Sequence, residues 1–147
     1  MCTRIVPAGF EVKKHEAAIV DMGCNSALAT YWQLRKRTDY LKKFKDRNPD
    51  IDLILDSGAY TLMEMEPQPL DYYLRYLDNY VKFLQQYGEY VHAAAELDID
   101  SIAVVGPERA EEWRETIFSK IDNTSIIFVW HQDTHNLQYF ARYCQQY

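Results

Sequence analysis

Short apolar runs, each closed by a charged or turn-forming residue and followed by a stretch of helical character, recur along this chain. The runs are "AAIVDMG" (17–23), "DLILDSGAY" (52–60), "YVHAAAELDID" (90–100) and "TSIIFVWHQ" (124–132). Between them lie "NSALATYWQLRKRTDYLKKFKDR", broken by Asn48-Pro49-Asp50, then residues 71–87, then "GPERAEEWRETIFSKI". In the second, Tyr73, Leu74, Leu77, Val81 and Leu84 step by three and four, the period of an amphipathic helix, and Gly88 is expected to end it. "MEMEPQPLD" reads as a loop with two prolines, Pro107 suits the first turn of the next helix, and a last helix is expected from Thr134 to Tyr147. The order β-α-β-α-β-α-β-α, without a hairpin signal, predicts right-handed crossovers and a parallel sheet.

Two architectures satisfy that order, a doubly wound sheet and a (β/α)8 barrel. Strand parity separates them. In "YVHAAAELDID" the odd positions from Val91 to Ile99 are all apolar, whereas the even positions His92, Ala94, Glu96, Asp98 and Asp100 are mostly polar. A doubly wound sheet covers both faces with helices and would bury those carboxylates at high cost. A barrel turns the same face inward and presents its last residues at the C-terminal mouth, where such enzymes keep their sites. A full barrel takes about 250 residues, and this chain has 147. The fold expected is therefore one α/β domain of parallel (β/α) units of the TIM-barrel type, about half of a (β/α)8 barrel and the N-terminal portion of a larger one. The alternative is a complete small four-stranded α/β domain.

Composition narrows the setting. No apolar run reaches the roughly 18 residues of a membrane span and the first residues lack the pattern of a signal peptide, so a cytoplasmic protein is expected. Cys2, Cys24 and Cys144 are odd in number and widely spread, which fits free thiols. The net charge of −6 argues against coating nucleic acid by charge alone. From Arg35 to Arg47, however, the chain is locally +5, leaving −11 for the rest. Arg35, Lys36 and Arg37 are the first candidates for a phosphate contact, against the plainer alternative of a solvated helix face.

Each apolar run delivers an ionisable residue at its end: Asp21, Asp56, Asp98 to Asp100, and His131. For one aspartate the ordinary explanation is an N-cap, which suits Asp21. It suits Asp56 less, because Ser57-Gly58 can turn the chain without it. Gly58 permits a positive φ or close approach of a ligand, and its amide is a candidate donor to a substrate carbonyl. Tyr60 is placed to stack on a planar ring, or to pack as core. His131 is a candidate general acid or ligand contact, with a structural histidine as the equal alternative. His92 opens its strand, at the opposite end, and is given no role. No His-x-His pattern, P-loop or Rossmann glycine pattern is present, so no metal, nucleotide or other cofactor is expected.

Taken together, "LDSGAY", "ATYWQLRK", "HAAAELDIDSI", "GPERAEEWRE" and "IIFVWH" resemble, in order and spacing, the tRNA-guanine transglycosylase family, and most of all its phage and bacterial relatives that place 7-deazaguanines in DNA. The resemblance spans roughly residues 25 to 131. It implies a (β/α)8 barrel that exchanges a base in tRNA or DNA for a free deazapurine through a covalent glycosyl intermediate. It further implies Asp56 as the acid/base near the leaving base, Ser57 and Gly58 lining the pocket, and Asp98, or failing it Asp100, reading the Watson-Crick edge of guanine or a 7-deazapurine. A carboxylate suits that role because it accepts two parallel N–H donors. The family's nucleophilic aspartate belongs to a later strand beyond Tyr147, and its clustered cysteines for zinc are missing here. A transglycosylase completed by a C-terminal half is one expectation. A metal-dependent hydrolase using Asp56, Asp98, Asp100 and His131, and a non-catalytic half-barrel completed by a second copy or second chain, are the others.

Overall fold

The computed structural model describes residues 6–9, 11, 13–37, 39–131 and 141. The helix expected from Thr134, and Cys2 and Cys144, lie outside the described residues. Cys24 carries a free thiol. No helix among the described residues is long and apolar enough to cross a membrane.

The protein is a mixed α/β structure built on a four-stranded parallel sheet. Strands β1 (Ser26–Thr30), β2 (Asp52–Asp56), β3 (Ala93–Ala95) and β4 (Ser125–Ile127) stand side by side in chain order. Helices α1 (Lys13–Asp21), α2 (Tyr31–Leu34), α3 (Tyr40–Arg47), α4 (Ala59–Glu64), α5 (Leu70–Tyr87) and α6 (Gly106–Thr116) precede and link them. The second, third and fourth apolar runs supply strands as expected.

The first does not. "AAIVD" belongs to α1, and the first strand is "SALAT", inside the stretch expected to be helical. A run of four apolar residues carries no period that distinguishes strand from helix. Here only Ile19 is buried, while Val20 and Met22 face outward. Two alanines in "SALAT" favour a helix locally, but tertiary pairing decides: all five residues pair with β2, from Ser26 against Asp52 to Thr30 against Asp56. The outer edge of β1 is met by the N-terminal segment. Leu28 N–H donates to the Pro7 carbonyl and Gly9 N–H to the Leu28 carbonyl, at 2.8 and 3.2 Å. Asp21 consequently ends a helix, exposed, and is no part of the row of strand ends.

Two further boundaries differ. The segment read as loop after Tyr60 begins with the last residues of α4. Gly88 does not take the left-handed conformation of a helix stop. Its φ is −57°, and the chain runs on into a 3-10 turn, Gly88–Tyr90. Its lack of a side chain serves packing instead: a Cβ there would lie 2.7 Å from Asn123 Oδ1. The Asn123 amide donates to the carbonyls of Leu84 and Gln85 at 2.8 and 3.2 Å, satisfying the end of α5.

One face of the sheet is dry. Ala27, Ala29, Leu53, Leu55 and Ala94 are fully buried there, under Leu34, Leu41, Phe44, Tyr73, Tyr80 and Leu84 from the helices. Small alanines flanking large leucines leave room for the ring of Tyr31 and for those of Tyr76, Tyr80 and Phe83, whose centroids lie 4.9 to 5.2 Å from it. Burying such rings stabilises by roughly 1.5–3 kcal/mol each. The other face carries Leu28, Ile54, Ala95 and Ile127, which are half-buried or exposed.

This reverses the expected parity of β3. Ala94 pairs with Leu55 and Ile126 on the helix-covered face, and Ala93 and Ala95 take the other. Three consecutive alanines fit either face, so alternation had to be judged on the residues that follow, where the strand has already ended. Glu96, read as pointing away from the helices, is buried beneath α6.

Candidate functional site

Glu96 is the residue around which the C-terminal end of the sheet is organised. Arg114 of α6 meets it in a bidentate pair, Nε to Oε2 at 2.8 Å and Nη2 to Oε1 at 2.5 Å, both side chains buried. The same carboxylate accepts the Val129 N–H at 2.7 Å, and Arg114 also donates to the Val129 carbonyl at 3.2 Å. Glu96 N–H donates to the Ile127 carbonyl. These bonds fix the segment that continues β4 against the one that continues β3, and so place His131 opposite Asp98 and Asp100. The sequence marked Glu96 only as one polar residue among several. No local pattern around it foretells that burial, because the cation that makes it possible comes from Arg114, 18 residues further on.

His131 lies between two carboxylates. Its Nδ1 is 2.7 Å from Asp100 Oδ1 and its Nε2 is 3.2 Å from Asp98 Oδ2. Asp100 is buried, and Asp98 and His131 remain partly open. Burial raises Asp98 above the ordinary carboxylate value of 3.8, to about 6. Its own backbone hydrogen bond and the charge of His131 act against that shift, and the charges of Glu96 and Asp56 add to it. Burial likewise drives the Tyr80 hydroxyl well upward, so it stays a neutral donor to the Ala95 carbonyl at 2.7 Å.

Asp56 closes β2 and turns the chain: its Oδ2 accepts the Gly58 N–H at 2.9 Å, an Asx turn that leads into α4. The Gly58 amide proposed for a substrate carbonyl is thus engaged by Asp56 itself. The close approach that glycine permits is made by protein groups. Its φ is +84°, and a Cβ would lie 2.7 Å from Tyr76 Oη and 2.9 Å from Trp32 Cβ. Tyr76 Oη donates to the Ser57 carbonyl at 2.7 Å. Ser57 is wholly buried, and its Oγ has no hydrogen-bond partner among the described residues. Tyr60 lies on the first turn of α4 with 71% of its surface exposed, a ring open to stacking rather than core.

The structure therefore gathers Asp98, Asp100 and His131 in direct contact, with Asp56 near enough for its charge to act on Asp98. Ser57 and Gly58 lie in the turn beside Asp56. His92 lies at the opposite end of β3 and is exposed. Among the described residues no three His, Cys, Asp or Glu side chains are grouped so as to hold a metal ion.

The basic segment is largely turned to internal partners. Arg37 donates to the Glu11 carbonyl and lies over Tyr40, Arg47 pairs with Glu16 at 2.7 Å, Lys43 pairs with Asp39, and Lys45 donates to the Pro49 and Ile51 carbonyls. Lys36 is exposed, and Arg35 stacks on Trp32, its guanidinium carbon 3.5 Å from the ring centroid. Chemically, the strand ends offer a carboxylate that exchanges its proton near neutral pH, a histidine able to relay that proton, and a second carboxylate that orients the histidine. Compared with known proteins, the chain matches no family model, no curated protein and no solved structure.

Proposed function

We propose that this chain is the first half of a (β/α)8 barrel and binds guanine or a 7-deazaguanine base at the C-terminal ends of its strands. The strand order β1-β2-β3-β4 never reverses. With right-handed crossovers such an order puts every crossover helix on one face, as a barrel requires, whereas a doubly wound sheet reverses direction at a switch point. The half-exposed second face then becomes the barrel interior.

The observation that carries the functional reading is the contact of Asp98 with His131 at the mouth of the sheet, beside Asp56. Ionised Asp98 accepts the paired N–H donors of a guanine-like edge, His131 and Asp100 hold its orientation, and exposed Tyr60 offers a stacking surface for the ring. Asp56 is the acid/base of a transglycosylase-like exchange. The resemblance assigns the covalent step to a carboxylate on a later strand. Base recognition and proton transfer are the parts that this chain's own residues supply, and a tRNA or DNA is the polymer that carries the base.

The test is a thermal-shift titration with guanine, 7-deazaguanine and the deazapurine precursor preQ0. At least one is expected to raise the melting temperature, and Asp98→Ala to abolish the rise. Absence of a shift with all three would count against the reading.

A further inference from the structure

We infer that the groove between α2 and α5 is a binding surface for single-stranded nucleic acid. The groove has a volume of about 570 Å³. Arg35, Arg75 and Lys82 bring three cations to it, and no aspartate or glutamate lines it, in a chain whose net charge is −6. Tyr72 and Tyr87, each half-buried, line it towards the two ends of α5.

The sequence of α5 produces this surface directly. Tyr72, Arg75, Asn79, Lys82 and Gln86 are spaced by three, four, three and four, which aligns them in one stripe, about 21 Å long, down the helix. Apolar helix faces bury, and ordinary solvated faces mix both signs of charge. Beyond Tyr72 the stripe itself carries only cations and amides, with Asp71 and Asp78 beside it on the same helix. Lys82 does pair with Asp78 at 2.6 Å, but both are well exposed, and such a pair contributes little that a phosphate could not replace. Arg35 is held in place by its stacking on Trp32. Cations spaced along a groove with aromatic rings are what a flexible polyanion with flat bases requires, phosphates meeting the charges and bases stacking on the rings. An acidic peptide would satisfy the cations and leave the rings unused.

The groove is joined to the site at the strand ends. Tyr76, in its floor, donates to the Ser57 carbonyl, one residue from Asp56. This inference rests on the reading above in one respect, that the base is carried by a nucleic acid.

Fluorescence anisotropy with labelled single-stranded DNA and RNA of about 12 nucleotides, at several salt concentrations, tests it. The unaltered chain is expected to bind at least one of them. The exposed double variant Arg75→Glu with Lys82→Glu is expected to weaken binding at least tenfold. The milder Arg75→Gln with Lys82→Gln should lower the slope of log affinity against log salt by about 1.4, the value for two lost phosphate contacts. Tyr72→Ala with Tyr87→Ala should weaken binding with the salt slope unchanged. No binding, binding indifferent to these substitutions, or competition by poly-glutamate as strong as by unlabelled oligonucleotide would overturn the inference. Asp98→Ala separates the two readings: it should lose the base and keep the oligonucleotide, whereas the groove variants should do the reverse.

Discussion

His131 Nδ1 sits 2.7 Å from Asp100 Oδ1 while its other ring nitrogen faces Asp98, so one imidazole joins a buried carboxylate to a partly open one. Because burial raises Asp98 to about 6, its carboxyl gains and loses its proton near neutral pH. A base edge that donates two N–H groups needs Asp98 ionised. Affinity for the base is therefore expected to be constant above about pH 7 and to fall about tenfold per unit below pH 6. Isothermal titration across pH 4.5 to 8 reads this, and a flat profile would remove Asp98 from recognition. In His131→Ala the counteracting positive charge is gone, and the midpoint should move upward.

Stability carries the opposite sign. Folded Asp98 holds its proton up to about pH 6, above its ordinary 3.8, so the folded state binds more protons than the unfolded one between those values. This contribution is full below about pH 4 and is lost as pH rises through 6. It amounts to roughly 3 kcal/mol. Asp98→Asn should flatten the dependence and gain most over the parent at pH 8. Urea unfolding at pH 4.5, 6 and 8 measures it.

Glu96 and Arg114 form a buried bidentate pair. Arg114→Ala strands a buried carboxylate and is expected to cost about 3–5 kcal/mol. Glu96→Met with Arg114→Met together, which leaves no buried charge and no acceptor at position 96, should recover part of that loss in stability. Base affinity should remain reduced in the double variant, because Glu96 also holds the Val129 amide two residues before His131. Denaturation and base titration of the two variants, side by side, separate fold from positioning.

Gly58→Ala meets both a left-handed φ and two close contacts. Roughly 2–4 kcal/mol is expected to be lost. Since one contact is the Tyr76 hydroxyl, Tyr76→Phe should relieve part of the strain. Alone it should cost about 1 kcal/mol through its lost bond to Ser57. The double variant is expected to lose less than the sum of the singles, and strict additivity in a double-mutant cycle would refute the contact.

Much of the architecture is written in local pattern. The spacing of Tyr73, Leu77 and Leu84 by four and seven, about one and two helical turns, specifies α5, the apolar core of "DLILD" specifies β2, and the chain order of runs and helices specifies a parallel sheet. These depend on periods that a chain imposes on itself. The exchange of strand and helix between "AAIVD" and "SALAT" could not be read there, because five-residue segments this short suit either state and only pairing with β2 selects one. The face taken by Glu96 depends on Arg114, 18 residues away, and the placement of His131 against Asp100 depends on a register 31 residues apart. That charged residues follow β2, β3 and β4 was legible in the sequence, whereas Asp21 ends a helix and the first strand closes on Thr30. Which of them touch was decided by tertiary structure, since the desolvation of a carboxylate depends on neighbours brought from other strands and helices.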